Sequence, residues 1–216
     1  MKGPPSFESG FLGPPAASPA PSSAAEPSPW RSRGYLPHFE RPGLLQALTF
    51  RLHDSVPAHV VESWREDLAR AGNSSDQEVK LRQRLARYED EGHGSSWLRK
   101  PRIAELVEGA LLRFDGERYR LIAWCIMPNH VHALIELGPD GKLDPIVQGW
   151  KSYTAHKANR LLGRSGTFWA REYHDRFVRD DDHLAAVVRY IENNPVVSGL
   201  APNAESWPWS SAGRRG

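Results

Sequence analysis

The run Trp124-Cys125-Ile126-Met127-Pro128-Asn129-His130-Val131-His132-Ala133-Leu134-Ile135-Glu136-Leu137 constrains the fold more than any other stretch. It is apolar and holds several β-branched residues, so it reads as a buried strand. In a strand, side chains at i and i+2 point to the same face. His130 and His132 therefore stand side by side on one face, and Val131 points the other way into the core. Two neighbouring imidazoles are half of a metal site. They are equally compatible with a solvated strand edge, or with a pair hydrogen-bonded to backbone.

The remaining elements arrange themselves around this strand. Leu48, Phe50 and Leu52 alternate and mark a first strand. A charge-rich stretch of about 57–100 follows. It has helical spacing at Val61, Trp64 and Leu68 and again at Val79, Leu81, Leu85 and Tyr88, and it reads as a helical insertion after the first strand. Pro101 to Phe114 carries one apolar stripe, Ile103, Leu106, Val107, Ala110 and Leu111, and starts with a proline suited to a first helical turn. Tyr119–Trp124 is a strand leading into the histidine strand. Met127-Pro128-Asn129 is either the turn between the two or a bend in one long strand. Leu143–Leu162 reads as a second helix, and Tyr173–Arg179 as extended. Asp180-Asp181-Asp182-His183 opens a last helix, with carboxylates at its positive end, and Pro195 ends it. This order implies an α+β fold. Its simplest form is a ferredoxin-like antiparallel sheet with helices packed on one face.

Composition narrows the function classes. A formal charge of +2 over 216 residues provides no global field for nucleic acid, so basic surface must come from local clusters. The single cysteine, Cys125, excludes an intrachain disulfide and suits a reducing cytoplasm. No run approaches the roughly 18 apolar residues of a membrane span. Met1-Lys2 is followed by Gly and Pro rather than by the apolar core of a secretory leader. Residues 1–29 are Pro, Ala, Ser and Gly with few large side chains, so they are expected to be a disordered tail before one domain at 30–216.

The last helix carries Tyr190-Ile191-Glu192-Asn193-Asn194-Pro195. Tyr190 and Asn194, four apart, share a helical face. Taken alone they read as a packing tyrosine and a helix-end asparagine. Together with Met127-Pro128-Asn129-His130-Val131-His132, however, the segment Tyr190-Ile191-Glu192-Asn193-Asn194-Pro195-Val196-Val197-Ser198-Gly199-Leu200 resembles the single-tyrosine HUH transposases, and within them the REP-associated tyrosine transposases. Tyr35–Phe39, Gly92-His93-Gly94, Trp97-Leu98, Phe168-Trp169, Tyr173–Arg176 and Trp209-Ser210-Ser211 also look like that family, so the resemblance covers about 34–211.

The resemblance implies a metal-dependent single-strand DNA endonuclease and strand transferase, acting on hairpin DNA of repeated extragenic palindromes through a 5′-phosphotyrosine. It implies Tyr190 as nucleophile, and His130, His132 and Asn194 as ligands of Mg²⁺ or Mn²⁺. The implied partner is single-stranded and hairpin DNA, bound by a monomer or homodimer in the nucleoid-bearing cytoplasm. A non-catalytic DNA-binding descendant is the alternative. Arg31, Arg33, Lys151, Lys157, Arg160, Arg176 and Arg179 are candidate phosphate contacts, and Trp169 is a candidate stacking residue. His156, His174 and His183 are candidate bases, and Tyr153 is a rival nucleophile that matches no tyrosine motif of the family.

Overall fold

The structure is a computed structural model. It describes residues 30–32, 37–39, 43–70, 80–81, 83–85, 87–88 and 94–215. The expected tail at 1–29, Arg33 and parts of the helical insertion lie outside the described residues, as do the side chains of Trp30 and Arg31.

The chain forms a short pair, β1 (Trp30–Ser32) with β2 (Pro37–Phe39), and then a four-stranded sheet. That sheet contains β3 (Leu45–Arg51), β4 (Tyr119–Ile126), β5 (His130–Leu137) and β6 (His174–Phe177) in the order β4-β5-β3-β6. Every neighbouring pair is antiparallel. The helices are α1 (Ala58–Arg70), α2 (Pro101–Leu112), α3 (Leu143–Leu162), α4 (Asp181–Val197) and the short α5 (Ser211–Arg215). Read from β3, the succession strand, helix, strand, strand, helix, strand is the split βαβ of a ferredoxin-like fold. The expected α+β class and antiparallel sheet are borne out. The insertion appears as α1, followed by helical residues within 80–88 and a 3-10 turn at Trp97–Arg99.

Pleating gives the sheet two chemically different faces. On one face Leu48, Phe50, Trp124, Ile126, Val131, Ala133 and Ile135 meet Ile103, Val107 and Leu111 of α2 and Ile146, Val147 and Trp150 of α3. Aromatic contacts tie this side together: Phe50 lies 6.2 Å from Trp150 and 4.9 Å from Trp169, ring to ring. The indole and phenol ends inside it are paired. Trp150 Nε1 donates to the Tyr119 hydroxyl at 3.0 Å, and that hydroxyl donates to the Leu111 carbonyl at 2.5 Å.

The opposite face bears Ala123, Cys125, Met127 and Leu134, and it is covered by Val187 and Ile191 of α4. The expectation of helices on one face is therefore corrected: α4 crosses to the other side. Because β5 is sandwiched, its sequence is apolar almost throughout, as strands buried on both faces are. β3 instead alternates between buried and half-buried residues, because α4 packs on β4 and β5 rather than across β3.

Pro195 does not end α4, which runs on to Val197. A proline this near the C-terminus interrupts few intrahelical bonds. The Pro195 carbonyl accepts from Leu200 N at 2.8 Å, and Gly199, at φ +68°, turns the chain away.

Candidate metal and nucleophile site

Met127-Pro128-Asn129 is the turn, not a bend. Met127 N donates to the His130 carbonyl at 2.9 Å, which closes the β4–β5 hairpin. The turn is also anchored from outside, by Leu52 N on the Asn129 carbonyl at 2.9 Å and Leu98 N on the Pro128 carbonyl at 3.1 Å. His130 is therefore the first residue of β5. His130 and His132 point to the α4 face, with His132 paired across the sheet to Thr49 of β3 and Cys125 of β4.

The two imidazoles are buried and converge. Their Nε2 atoms are 2.9 Å apart, and the ring planes are inclined by 80°. Their other nitrogens are held from behind: His130 Nδ1 lies 2.7 Å from Asn129 Oδ1, and His132 Nδ1 lies 2.9 Å from Thr49 Oγ1. α4 supplies the third group. Asn194 is buried, and its Nδ2 is 3.3 Å from His132 Nε2. Its Oδ1 accepts from the Ser198 hydroxyl at 3.4 Å. The Tyr190 ring centroid is 5.4 Å from that of His132. Tyr190 and Asn194 are one helical turn apart on the side of α4 that faces the sheet.

This donor set fits a divalent ion. Ligands about 2.1 Å from one ion and at right angles are about 3 Å apart, the separation that the Nε2 pair already has. A metal-ligating histidine characteristically donates its other N–H to a fixed acceptor, the role that Asn129 Oδ1 fills for His130. An amide oxygen is a hard donor, which suits Mg²⁺ or Mn²⁺ once the Asn194 amide is turned so that Oδ1, rather than Nδ2, faces His132. No group of three His, Cys, Asp or Glu side chains is placed to hold a metal among the described residues, and the Asn194 amide is the further polar group set against the histidine pair. Cys125 is not a soft alternative. Burial, with a smaller push from Glu192, raises its thiol pKa far above the usual range, so it stays protonated.

The other sequence candidates divide. Lys151 is buried, and its ammonium donates to the Arg171 carbonyl at 2.7 Å. Burial lowers its pKa to about 8. Trp169 is a core residue whose Nε1 donates to Thr154 Oγ1 at 2.8 Å, so its faces are not available for stacking. Lys157 and Arg160 are exposed on α3, as are Tyr153 and His156, on the far side of the sheet from the histidine pair. Arg176 and Arg179 lie beside the start of α4 with His183, whose Nδ1 accepts from Arg179 N at 3.2 Å. Burial first, then the two guanidinium groups, lowers the His183 pKa. His174 pairs with Thr49, which puts it on the rung and face of His132, one strand further out. Asn129 and Thr49 carried no weight in the sequence reading. Asn129 adjoins His130 in the motif, whereas Thr49 is joined to His132 only by strand register.

The family described as "Transposase IS200 like" matches residues 98–194, which run from the 3-10 turn to Asn194 and include the turn, both histidines and Tyr190. Residues 98–194 are thus similar to the IS200-like transposases. The expected family is borne out by a Haemophilus influenzae relative, itself provisionally named a REP-associated tyrosine transposase. It is 30% identical over 103 residues, which cover 43% of this chain and 58% of that protein. The chain thus aligns with little more than half the length of that relative. The fold is similar to a solved REP-associated tyrosine transposase bound to a REP hairpin, with a TM-score of 0.56, 16% identity and 84% of each chain covered. At that identity the likeness carries the fold. No described helix is long and apolar enough to cross a membrane.

Proposed function

We propose that this chain cuts and rejoins single-stranded DNA beside hairpins, with Tyr190 as the nucleophile. The observation that carries this reading is the meeting of α4 with β5: a tyrosine ring 5.4 Å from a ligand histidine, and an amide one turn further along against the same imidazole.

In this reading His130, His132 and Asn194 hold Mg²⁺ or Mn²⁺. When bound, the ion polarises a non-bridging phosphodiester oxygen and orients the phosphate. Tyr190 then attacks phosphorus through its phenol oxygen. The new bond is Tyr190 O–P, the bond to the 3′ oxygen breaks, and the phenol proton is lost as the leaving 3′ oxygen gains one. The products are a 5′-phosphotyrosine and a free 3′-OH. Attack by another 3′-OH reverses the step and joins a different end, so bond energy is conserved without ATP. A free phenol has a pKa of about 10, so Tyr190 depends on its surroundings for activation. Arg176 on β6 and Arg179 just before α4 are assigned to phosphate contact on the same side as this chemistry. Lys157 and Arg160, across the sheet, serve a more distant part of the DNA. In this reading the DNA approaches over the half-buried face of β3 beside the histidines.

The hairpin preference rests on the named relatives, and cleavage on the site. Incubating the full chain with labelled single-stranded oligonucleotides carrying hairpins, plus Mn²⁺ or Mg²⁺, should give a metal-dependent covalent adduct on a denaturing gel. The adduct should vanish in Tyr190→Phe and His130→Ala. Binding of a hairpin with no adduct under any metal would instead identify a non-catalytic DNA-binding protein.

A further inference from the structure

The C-terminal segment takes no part in the chemistry proposed above, yet it grips the helix that carries Tyr190. It runs along β4, the edge strand of the sheet, where Ser210 bridges to Cys125. Ile126 N donates to the Trp209 carbonyl at 2.8 Å, and Trp207 Nε1 donates to the Ile126 carbonyl at 3.1 Å. The segment folds back tightly at Gly213, where a Cβ would lie 2.1 Å from the Trp207 carbonyl oxygen. From this edge it reaches both faces. Arg214 donates twice, at 2.9 Å, to the Glu108 carboxylate on α2, and Arg215 meets the Glu192 carboxylate on α4.

Ser211 joins α4 to the backbone of β4. Its Oγ accepts from Trp124 N at 3.1 Å and donates to Glu192 Oε1 at 2.6 Å. A hydroxyl has one proton, and the short bond to a carboxylate is a stronger use of it than the Trp124 carbonyl at 3.3 Å. Ser211 is buried and the Glu192 side chain nearly so, whereas Arg215 is exposed and its ion pair is worth little. At 3.6 residues per turn, Val187 and Ile191 form the stripe that rests on the sheet. Tyr190 and Asn194 flank that stripe toward the histidines, and Glu192 flanks it on the other side, toward β4. Apolar contact is non-directional and leaves a helix free to roll. The bond at Glu192 is directional and fixes the roll. Side chains stand about 5–6 Å from a helix axis, so a roll of about 10° moves the phenol by roughly 1 Å. A displacement of that size costs about 100-fold in rate.

We propose that Ser211, acting through Glu192, is a positioning residue that sets the roll of α4 and so aims Tyr190. The proposal rests on the reading of Tyr190 as the nucleophile. It gives the two contacts of the segment different work. The Arg214–Glu108 pair ties the segment to α2, on the closed face, and holds the fold. The Ser211–Glu192 bond acts on the chemistry. Glu192→Met keeps the length and helix propensity of the side chain and removes the acceptor, whereas Glu192→Gln keeps an acceptor for the Ser211 hydroxyl. Ser211→Ala removes the donor.

The test is the single-turnover rate of adduct formation by the full chain, at saturating Mn²⁺ and saturating hairpin-bearing single-stranded oligonucleotide. Affinity for that oligonucleotide and the thermal midpoint are measured beside it. Glu192→Met and Ser211→Ala should lower the rate by about 10- to 100-fold with oligonucleotide affinity unchanged. Glu192→Gln should keep the rate within a few-fold of wild type. Arg214→Met, which loosens the segment on the other face, should lower the midpoint and keep the rate. Wild-type rates in Glu192→Met and Ser211→Ala would overturn the positioning role while leaving Tyr190 as the nucleophile. An equal rate loss in Arg214→Met would overturn it too, by making the segment a general clamp. Glu192→Asp keeps the charge on a shorter arm and is the mildest variant. It should slow the reaction several-fold at an unchanged midpoint, and a wild-type rate there would contradict the proposal even if the harsher variants unfold. No adduct with wild type, or an adduct that survives Tyr190→Phe, would overturn the nucleophile assignment and this proposal with it.

Discussion

The two faces of the sheet are built from the same strands and do opposite work. The α2–α3 side is closed: Phe50, Trp124, Trp150 and Phe168 are buried, and the indole nitrogens of Trp150 and Trp169 are paired internally. The α4 side keeps a small apolar patch, Cys125, Met127, Leu134, Val187 and Ile191, and beside it a polar cluster of two imidazoles, an amide and a phenol. A strand of alternating chemistry can serve both sides at once. Val131 and Ala133 pack into the closed side, while His130 and His132, interleaved with them, carry the proposed chemistry. In the proposed function, stability and chemistry are thereby separated by one residue step along β5.

Substitutions on the two sides should separate in the same way. The largest effect is expected from Tyr190→Phe, which should abolish covalent adduct formation while moving unfolding free energy by no more than about 0.5 kcal/mol. Denaturant titration beside the adduct gel checks both halves, and a large stability loss would mean that the hydroxyl is structural.

Trp150→Ala should do the reverse. It removes a buried indole stacked on Phe50 and bonded to Tyr119, and should cost about 3–5 kcal/mol, read as a fall in the denaturation midpoint. A stable Trp150→Ala chain with lost Mn²⁺ affinity would break the separation of faces.

Lys151 sharpens the comparison through pH. Its folded pKa of about 8 lies below the ordinary lysine value of 10.5. Between those values the unfolded chain binds more protons than the folded chain, so stability rises with pH. The burial cost is fully present below pH 8 and fades toward pH 10.5. Wild type should gain about 1–3 kcal/mol across that window, and Lys151→Met should lose this rise. An unchanged slope in Lys151→Met would assign the rise to another group.

The smallest effect is expected from Ser198→Ala. The Ser198 hydroxyl donates to Asn194 Oδ1 across 3.4 Å, a long bond at the periphery of the cluster. Mn²⁺ affinity should fall by no more than a few-fold. A loss of about 10- to 100-fold would make the Ser198 hydroxyl a necessary support of the proposed amide ligand.

Much of this was legible in the sequence, and the remainder was hidden for identifiable reasons. The period-2 placement of His130 and His132 set their common face before any sheet was known. The apolar stripes of α2 and α3 marked the closed side. The side on which α4 packs was not readable: Val187 and Ile191 show that the helix is amphipathic, not which face of the sheet it meets. Placing all helices together was the economical guess, and it would have left Tyr190 remote from the histidines. Pro195 misled because a proline usually stops a helix, whereas here it falls in the last turn. Lys151 and Trp169 looked like DNA contacts because a cation or an indole shows its chemistry in sequence but not its burial. Thr49 was invisible because only the β3–β5 register joins it to His132.

The central claim is that the phenol delivered by α4 is the one that reacts. Tyr190 has a rival in Tyr153, which is 51% exposed on α3, across the sheet from the histidines. The decisive measurement is mass-spectrometric mapping of the nucleotide-bearing peptide after digestion of the metal-dependent adduct. The account predicts one phosphodiester-linked tyrosine, Tyr190. Attachment at Tyr153, or at any residue outside α4, would contradict it.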